Sequence, residues 1–261
     1  MKKMQMMFGA MCVAALAGGA MARPLGATDI NGVKVETYIF ADRPDSVLNV
    51  TNNFPSAVGF DEGPFGQGGF ANRHTAYFST DGGTTKRDFN NEDSFNISFM
   101  MTKSSANVNA EAGFQADLFG FGFFGVLPNG EIAAFGSILP FYSAGIVAPA
   151  NFQGTMQLQM IYRAGNGDGT VAGVGTIPST IEYLFDLGVG AVSSGQIPFT
   201  NGEGGIPSAF TFNVGMGVQN NQADPDLGMS SILFSNIQAI PTPGALTLLG
   251  LGGLVGLRRR R

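Results

Sequence analysis

The residues able to do chemistry are few and widely spaced. His74 is the single histidine and Cys12 the single cysteine. A zinc centre needs three or four nitrogen, sulfur or oxygen ligands held together, and one histidine without cysteine partners does not assemble it. His74 sits in no Ser-His-Asp pattern and beside no nucleophile elbow, so acyl transfer has no nucleophile–base pair to run on. The sequence places it at a strand end or on the surface. Glycoside hydrolysis asks for two carboxyl groups about 5–9.5 Å apart across the scissile bond. Glu111 and Asp117 share one face of a strand-like run, but six residues separate them by roughly 20 Å. Asn166, Asp168 and Thr170 imitate the start of an EF-hand loop, yet Ile177 stands where the bidentate Glu belongs. Asp224 and Asp226, on either side of Pro225, are the remaining calcium candidates. Sugar stacking usually uses an exposed aromatic ring. The chain has no tryptophan, and Pro140-Phe141-Tyr142-Ser143 is its most exposed-looking aromatic group. These residues predict no catalytic site, no cofactor and no resident metal.

The elements that position these residues read as strands. Apolar side chains alternate with polar ones at Val33, Val35, Thr37 and Ile39, and at Phe95, Ile97, Phe99 and Met101. The same period recurs at Met156, Leu158, Met160 and Tyr162, at Ile181, Tyr183, Phe185 and Leu187, and from Phe210 to Val218. A last strand is expected over Ser231–Ile240. Alternation of this kind marks half-buried β-strands, and no helical stripe of any length competes with it. Asn129-Gly130 predicts a hairpin turn with positive φ angles. The fold class expected is all-β, a two-sheet β-sandwich (jelly roll) spanning 23–240. A transmembrane barrel is the alternative, weakened by acidic, glycine-rich connections and by the lack of an aromatic-ended final strand.

The two ends read differently from the body. Lys2 and Lys3, an apolar stretch from Met6 to Met21, and Ala20-Met21-Ala22 form the pattern of a secretory signal peptide over 1–22. Cys12 falls inside it, so the exported body would carry no thiol, disulfide or zinc-thiolate site. Setting Lys2, Lys3 and Arg258–Arg261 aside from the 14 basic residues leaves 8 against 19 acids, a balance of −11. Such a field repels polyphosphate, which excludes nucleic acid as a partner. At the other end, Pro241-Thr242-Pro243 precedes an apolar run over 244–257 and four arginines over 258–261. As a short hydrophobic helix that run is about 21 Å long against a hydrocarbon core of roughly 30 Å. Arg258, Arg259, Arg260 and Arg261 would stay on the cytoplasmic side.

Two resemblances follow from these residues. The stretch from Arg73 through NGEIAAFGSILPFYSAG resembles concanavalin A-like jelly rolls of exported bacterial proteins, a likeness of pattern that carries no diagnostic site. The tail 241–261 resembles the PEP-CTERM sorting signal, with Pro241-Thr242-Pro243 in place of the family's Pro-Glu-Pro. The second resemblance implies an exosortase-type membrane processing enzyme as partner, transient membrane association, and a destination at the cell surface or in the extracellular matrix. The function expected is therefore a non-enzymatic exported surface or matrix protein. The alternatives are a carbohydrate-binding, lectin-like module meeting extracellular polysaccharide and, third, a glycoside hydrolase. Intact mass of protein from the native host tests the tail. Mature chains should lack Arg258–Arg261, and retention of all four arginines would make the tail a lasting anchor.

Overall fold

Alternation becomes sixteen strands in the computed structural model, which describes residues 29–65, 69–90, 93–106, 108–117, 121–136, 139–165, 179–198, 211–221 and 228–240. The expected signal peptide, the tail from Pro241 to Arg261, the Asn166–Thr170 loop, Asp224 and Asp226 lie outside the described residues. All strand pairings are antiparallel. Sheet A runs β1 (Gly32–Glu36), β4 (Ala71–Ser79), β15 (Thr211–Asn221), β7 (Asn109–Asp117), β8 (Phe121–Val126), β9 (Glu131–Gly136), β10 (Tyr142–Ile146). A two-residue β5 (Phe89–Asn90) pairs with β15. Sheet B runs β13 (Val192–Ser193), β12 (Thr180–Asp186), β11 (Gly154–Arg163), β6 (Phe95–Ala106), β16 (Gly228–Ile240), β3 (Ala57–Phe65), β2 (Val47–Asn53). The short β14 (Ile197–Pro198) also pairs with β12.

The core lies between the sheets and is built from the alternating positions. Phe95, Ile97, Phe99 and Met101 of β6 face inward beside Met156, Leu158 and Met160 of β11. They meet the inner face of sheet A, where Phe99 makes a tilted contact with Phe114 of β7, ring centroids 4.4 Å apart. Phe124 of β8 meets Tyr183 of β12 at 4.8 Å. Interleaved rings of this kind bury large areas and prefer tilted contacts, which fixes the two sheets against each other.

Three details depart from the simple pattern. β1 stops at Glu36, and Tyr38 at φ 53° interrupts the regular ladder; contact with β4 resumes beyond it, where Ile39 N–H donates to Arg73 O at 3.0 Å. At the predicted hairpin only Gly130 has positive φ; Leu127–Gly130 closes through Gly130 N–H to Leu127 O, 3.0 Å, a longer loop than a two-residue turn. In β16 a register shift between Ser235 and Gln238, with Asn236 at φ 50°, switches the buried parity from Ile232 and Phe234 to Ile237.

β6 also runs its inward face past Met101 to Lys103 and Ser105, both buried. Lys103 Nζ donates to Ser105 Oγ at 3.2 Å and Phe152 O at 3.1 Å, and no carboxylate pairs with it among the described residues. Burial pushes this ammonium down from 10.5 to about 8. Between those two values the unfolded chain holds the proton and the folded one does not, so stability should rise as pH climbs from about 8 to 10.5. Replacing Lys103→Met should abolish that rise in thermal melting. At neutral pH it should stabilise by about 1–2 kcal/mol, after the lost hydrogen bonds are counted. A pH-independent wild-type midpoint over this range would contradict the reading.

Candidate functional site

Two polar clusters share sheet A, one on each face. The inner cluster corrects the placement of His74, which is neither at a strand end nor on the surface but in mid-β4 at 0% exposure. It belongs to the inward set with Asn72, Ala76 and Phe78, and its ring stacks on Phe60 of β3. Nε2 lies 2.8 Å from Glu62 Oε2, and the Tyr38 backbone N–H donates to Nδ1 at 3.2 Å. An acceptor at Nδ1 leaves the proton on Nε2, so the ring is the neutral donor tautomer facing an ionised Glu62. Glu62 accepts three more bonds: Ser46 Oγ at 2.5 Å, Asn72 Nδ2 at 2.6 Å and Asn220 Nδ2 at 2.7 Å. Burial alone would raise the Glu62 carboxyl; the donors from His74, Ser46 and Asn220 outweigh it and hold it below its usual range. Ser46 and His74 both bond the carboxylate and not each other, so the trio is no catalytic triad. It is a structural clasp.

The outer face of sheet A carries the second cluster, and the strand register lays it out in rows. Arg73, Gln219 and Glu111 stand in one row across β4, β15 and β7. Thr75, Gly217, Gly113 and Gly125 make the next, continuing into β8. Tyr77, Gly215, Gln115, Phe123 and Phe135 make the third. The middle row is nearly free of side chains. A Cβ on Gly217 would lie 2.7 Å from Gln115 Oε1, so the glycine lets the Gln115 amide lie down across the sheet. Thr75 Oγ1 donates to that Oε1, which turns Nε2 away from Thr75.

Several donors of this face lack acceptors. Gln115 is 1% exposed, and its Nε2 has no partner in the protein among the described residues; neither do Arg73 Nε and Nη1. The Arg73 guanidinium sits between two rings, 4.5 Å from Phe40 and 4.4 Å from Phe121, which orients it without using its hydrogens. Burial pushes the Tyr77 phenol up to about 12, so its hydroxyl stays protonated. Glu111 is pushed up to about 7 by burial, partly offset by the charge of Arg73. Lys86 Nζ caps the Tyr77 ring at 4.4 Å and lies 3.2 Å from Glu36 and 3.5 Å from Asp117. The face is thus a desolvated set of aimed donors beside a carboxyl group poised near neutrality.

Two carboxylates do approach each other on it, Glu36 and Asp117, each within 3.5 Å of Lys86 Nζ and so within about 7 Å of one another, with the ammonium held between them. Glu111 and Asp117 share the outer face of β7 as the sequence indicates, at opposite ends of the strand. Glu131 stands in β9, two strands from β7 and about 10 Å away by strand spacing, with its carboxylate accepting from Ser143 Oγ. Phe141 is exposed as expected, whereas Tyr142 is half-buried against Tyr183. No cluster of three or more His, Cys, Asp or Glu suited to a metal occurs among the described residues. No helix among them is long and apolar enough to cross a membrane. Arg73, Thr75, Tyr77, Gln115 and Gln219 were not singled out from sequence because they occupy ordinary polar positions of the alternation. Glycine at two successive outward positions of β15, Gly215 and Gly217, was the readable sign of a close approach.

The described residues form an all-β body of two antiparallel sheets. No protein-family model matches the chain, and no curated protein sequence does. Among solved structures, the alginate lyase from Klebsiella pneumoniae is 9% identical, with TM-score 0.42 over 74% of this chain and 84% of that one. The seed lectin of Lotus tetragonolobus is 11% identical, with TM-score 0.36 over 76% and 93%. A functionally unknown protein from Saccharomyces cerevisiae is 10% identical, with TM-score 0.40 over 77% and 98%. Likeness at this level carries no inference about chemistry.

The Glu111 shift has a measurable sign. Its folded pKa lies above the unfolded one, so folding favours the protonated acid, and stability should fall as pH rises from 4.5 to about 7. Glu111→Gln should flatten that fall and, above pH 7, be more stable to unfolding by about 1–3 kcal/mol. An unchanged pH profile in the variant would refute the assignment.

Proposed function

We propose that the chain is an exported surface or matrix protein whose sandwich body holds glycan against the outer face of sheet A without cleaving it. The observation that carries this is the set of buried, unpaired donors, Arg73 Nε and Nη1 and Gln115 Nε2, held on a glycine-floored face. A buried donor without an acceptor costs about 1–3 kcal/mol, which an acceptor-rich ligand would recover on binding. Sugars supply hydroxyl, ring and carboxyl oxygens at the required density. Glu111, Asp117 and Gln219 supply acceptors for sugar hydroxyls, and Phe40, exposed beside Arg73, offers a stacking ring. Export and sorting rest on the two termini, and the exosortase-type partner on the tail's resemblance.

A glycan array on the purified chain tests the reading, with Arg73→Ala and Gln115→Ala as paired variants. Binding should weaken by about tenfold or more in each, for one or two lost hydrogen bonds to a buried ligand. Binding unchanged in both would overturn the site. Incubation with β-glucans and galactans should release no reducing ends. Turnover that disappears in Glu111→Gln or Glu131→Gln would make the protein a glycoside hydrolase instead.

A further inference from the structure

We propose that β2 is a self-association edge, pairing antiparallel with the β2 of a second copy about a two-fold axis at Val50. Sheet edges present unpaired backbone donors and acceptors, and soluble proteins usually guard them with charge, brevity, bulges or a covering loop. Three of the four edges here are guarded. β1 has five residues with Lys34 and Glu36, and its Gly32 end is packed beneath the Gly82-Gly83 loop. β10 carries a register shift between Ser143 and Ile146. The far edge of sheet B consists of β13 and β14, two residues each.

β2 has none of these devices. It is seven residues long, VLNVTNN, without charge or proline, and pairs with β3 in unbroken register from Val47–Gly63 to Asn53–Ala57. No described strand pairs with its outer side. Val47 and Val50 are 59% and 41% exposed on opposite faces of the strand, and Met229 and Leu233 extend the exposed apolar surface inward on the face of Val47. Pro44 and Pro55 bracket the strand and limit pairing to the residues between them.

A second copy fits better than another partner because the segment is self-complementary. Pairing about Val50 sets Val50 on Val50, Asn49 on Thr51, Leu48 on Asn52 and Val47 on Asn53 of the second chain. No like charges meet, although the body carries many more acids than bases. Exposed Asp45, two residues before the strand, would fall opposite Pro55 of the second chain, and Asp61 on β3 would lie three strand spacings from its symmetry mate, about 14 Å or more, beyond a Debye length of about 8 Å. A two-fold axis makes the contact isologous and closed, giving a dimer with one continuous sheet and no fibre. Seven paired residues make a small interface, so the association should depend on concentration.

Light scattering over a dilution series of the purified chain reads the association. The expected result is a dimer at high concentration that dissociates on dilution. Val50→Lys, which sets two ammonium groups face to face, should raise the dimer Kd by about a hundredfold. A covalent arm keeps the test independent of that variant's folding. In a Cys12→Ser background, Val50→Cys should cross-link to itself under oxidation, since antiparallel partners lie about 4.5–5.5 Å apart, within disulfide reach. Val47→Cys, opposite Asn53, should not. A monomer at every concentration, as when a segment of the same chain covers β2, would overturn the proposal. So would a dimer indifferent to Val50→Lys, or cross-linking at Val47 in preference to Val50.

Discussion

A carboxylate taken out of water is the constraint on which this sandwich turns. Moving such an ion into a protein interior costs several kcal/mol unless its oxygens are fully bonded. Glu62, on β3 of sheet B, meets that demand with four donors, from the loop at Ser46, from Asn72 and His74 on β4, and from Asn220 on β15. Those donors tie both sheets and the connection between β1 and β2 to one point. They also set parity. With His74 and Asn72 pulled inward to Glu62, alternation sends Arg73 and Thr75 outward, and a one-residue slip of β4 would bury Arg73 in the core. The inner clasp therefore decides which residues form the outer face.

The outer face is organised by what is missing from it. Glycines at 215 and 217 leave the middle of β15 without outward side chains, and the Gln115 side chain of β7 lies over the gap at Gly217. Gln115 lies flat there, Arg73 is held between Phe40 and Phe121, and water is largely excluded from both. Exclusion of water shifts Glu111 and Tyr77 upward together, because each is more easily buried with its proton. A carboxyl group raised to about 7 and a protonated phenol beside a fixed guanidinium make a surface rich in hydrogen-bonding groups.

How much of this was legible in the sequence follows the range of each interaction. Period-two alternation is local, so the inward sets of β6, β11, β12 and β15 could be read before any coordinates. The end of β1 and the bulge in β16 depend on positive φ at Tyr38 and Asn236, residues whose types do not announce it. His74 was misplaced for a different reason. A histidine is compatible with burial only if its partners are, and Glu62, Asn220 and Ser46 come from strands and loops 12 to 158 residues apart from their bonding partners. Lys103 was not singled out from sequence, because nothing nearby in the chain foretells that the Phe152 carbonyl closes over it.

The same distinction between local and long-range effects bears on how the molecule meets others. Its surplus of acidic residues keeps copies apart wherever charges are exposed, and that repulsion fades within about a Debye length. Attachment must then occur where charge is absent or buried. The β2 edge is uncharged, and on the outer face of sheet A burial raises the Glu111 carboxyl to about 7 while Glu36 and Asp117 are paired with Lys86. These two places belong to different sheets, so occupying one leaves the other free. A body able to pair through one sheet while holding polymer on the other would crosslink a matrix, since two copies joined at β2 present two glycan faces. Avidity then rises through linkage alone, without any tighter contact at either site.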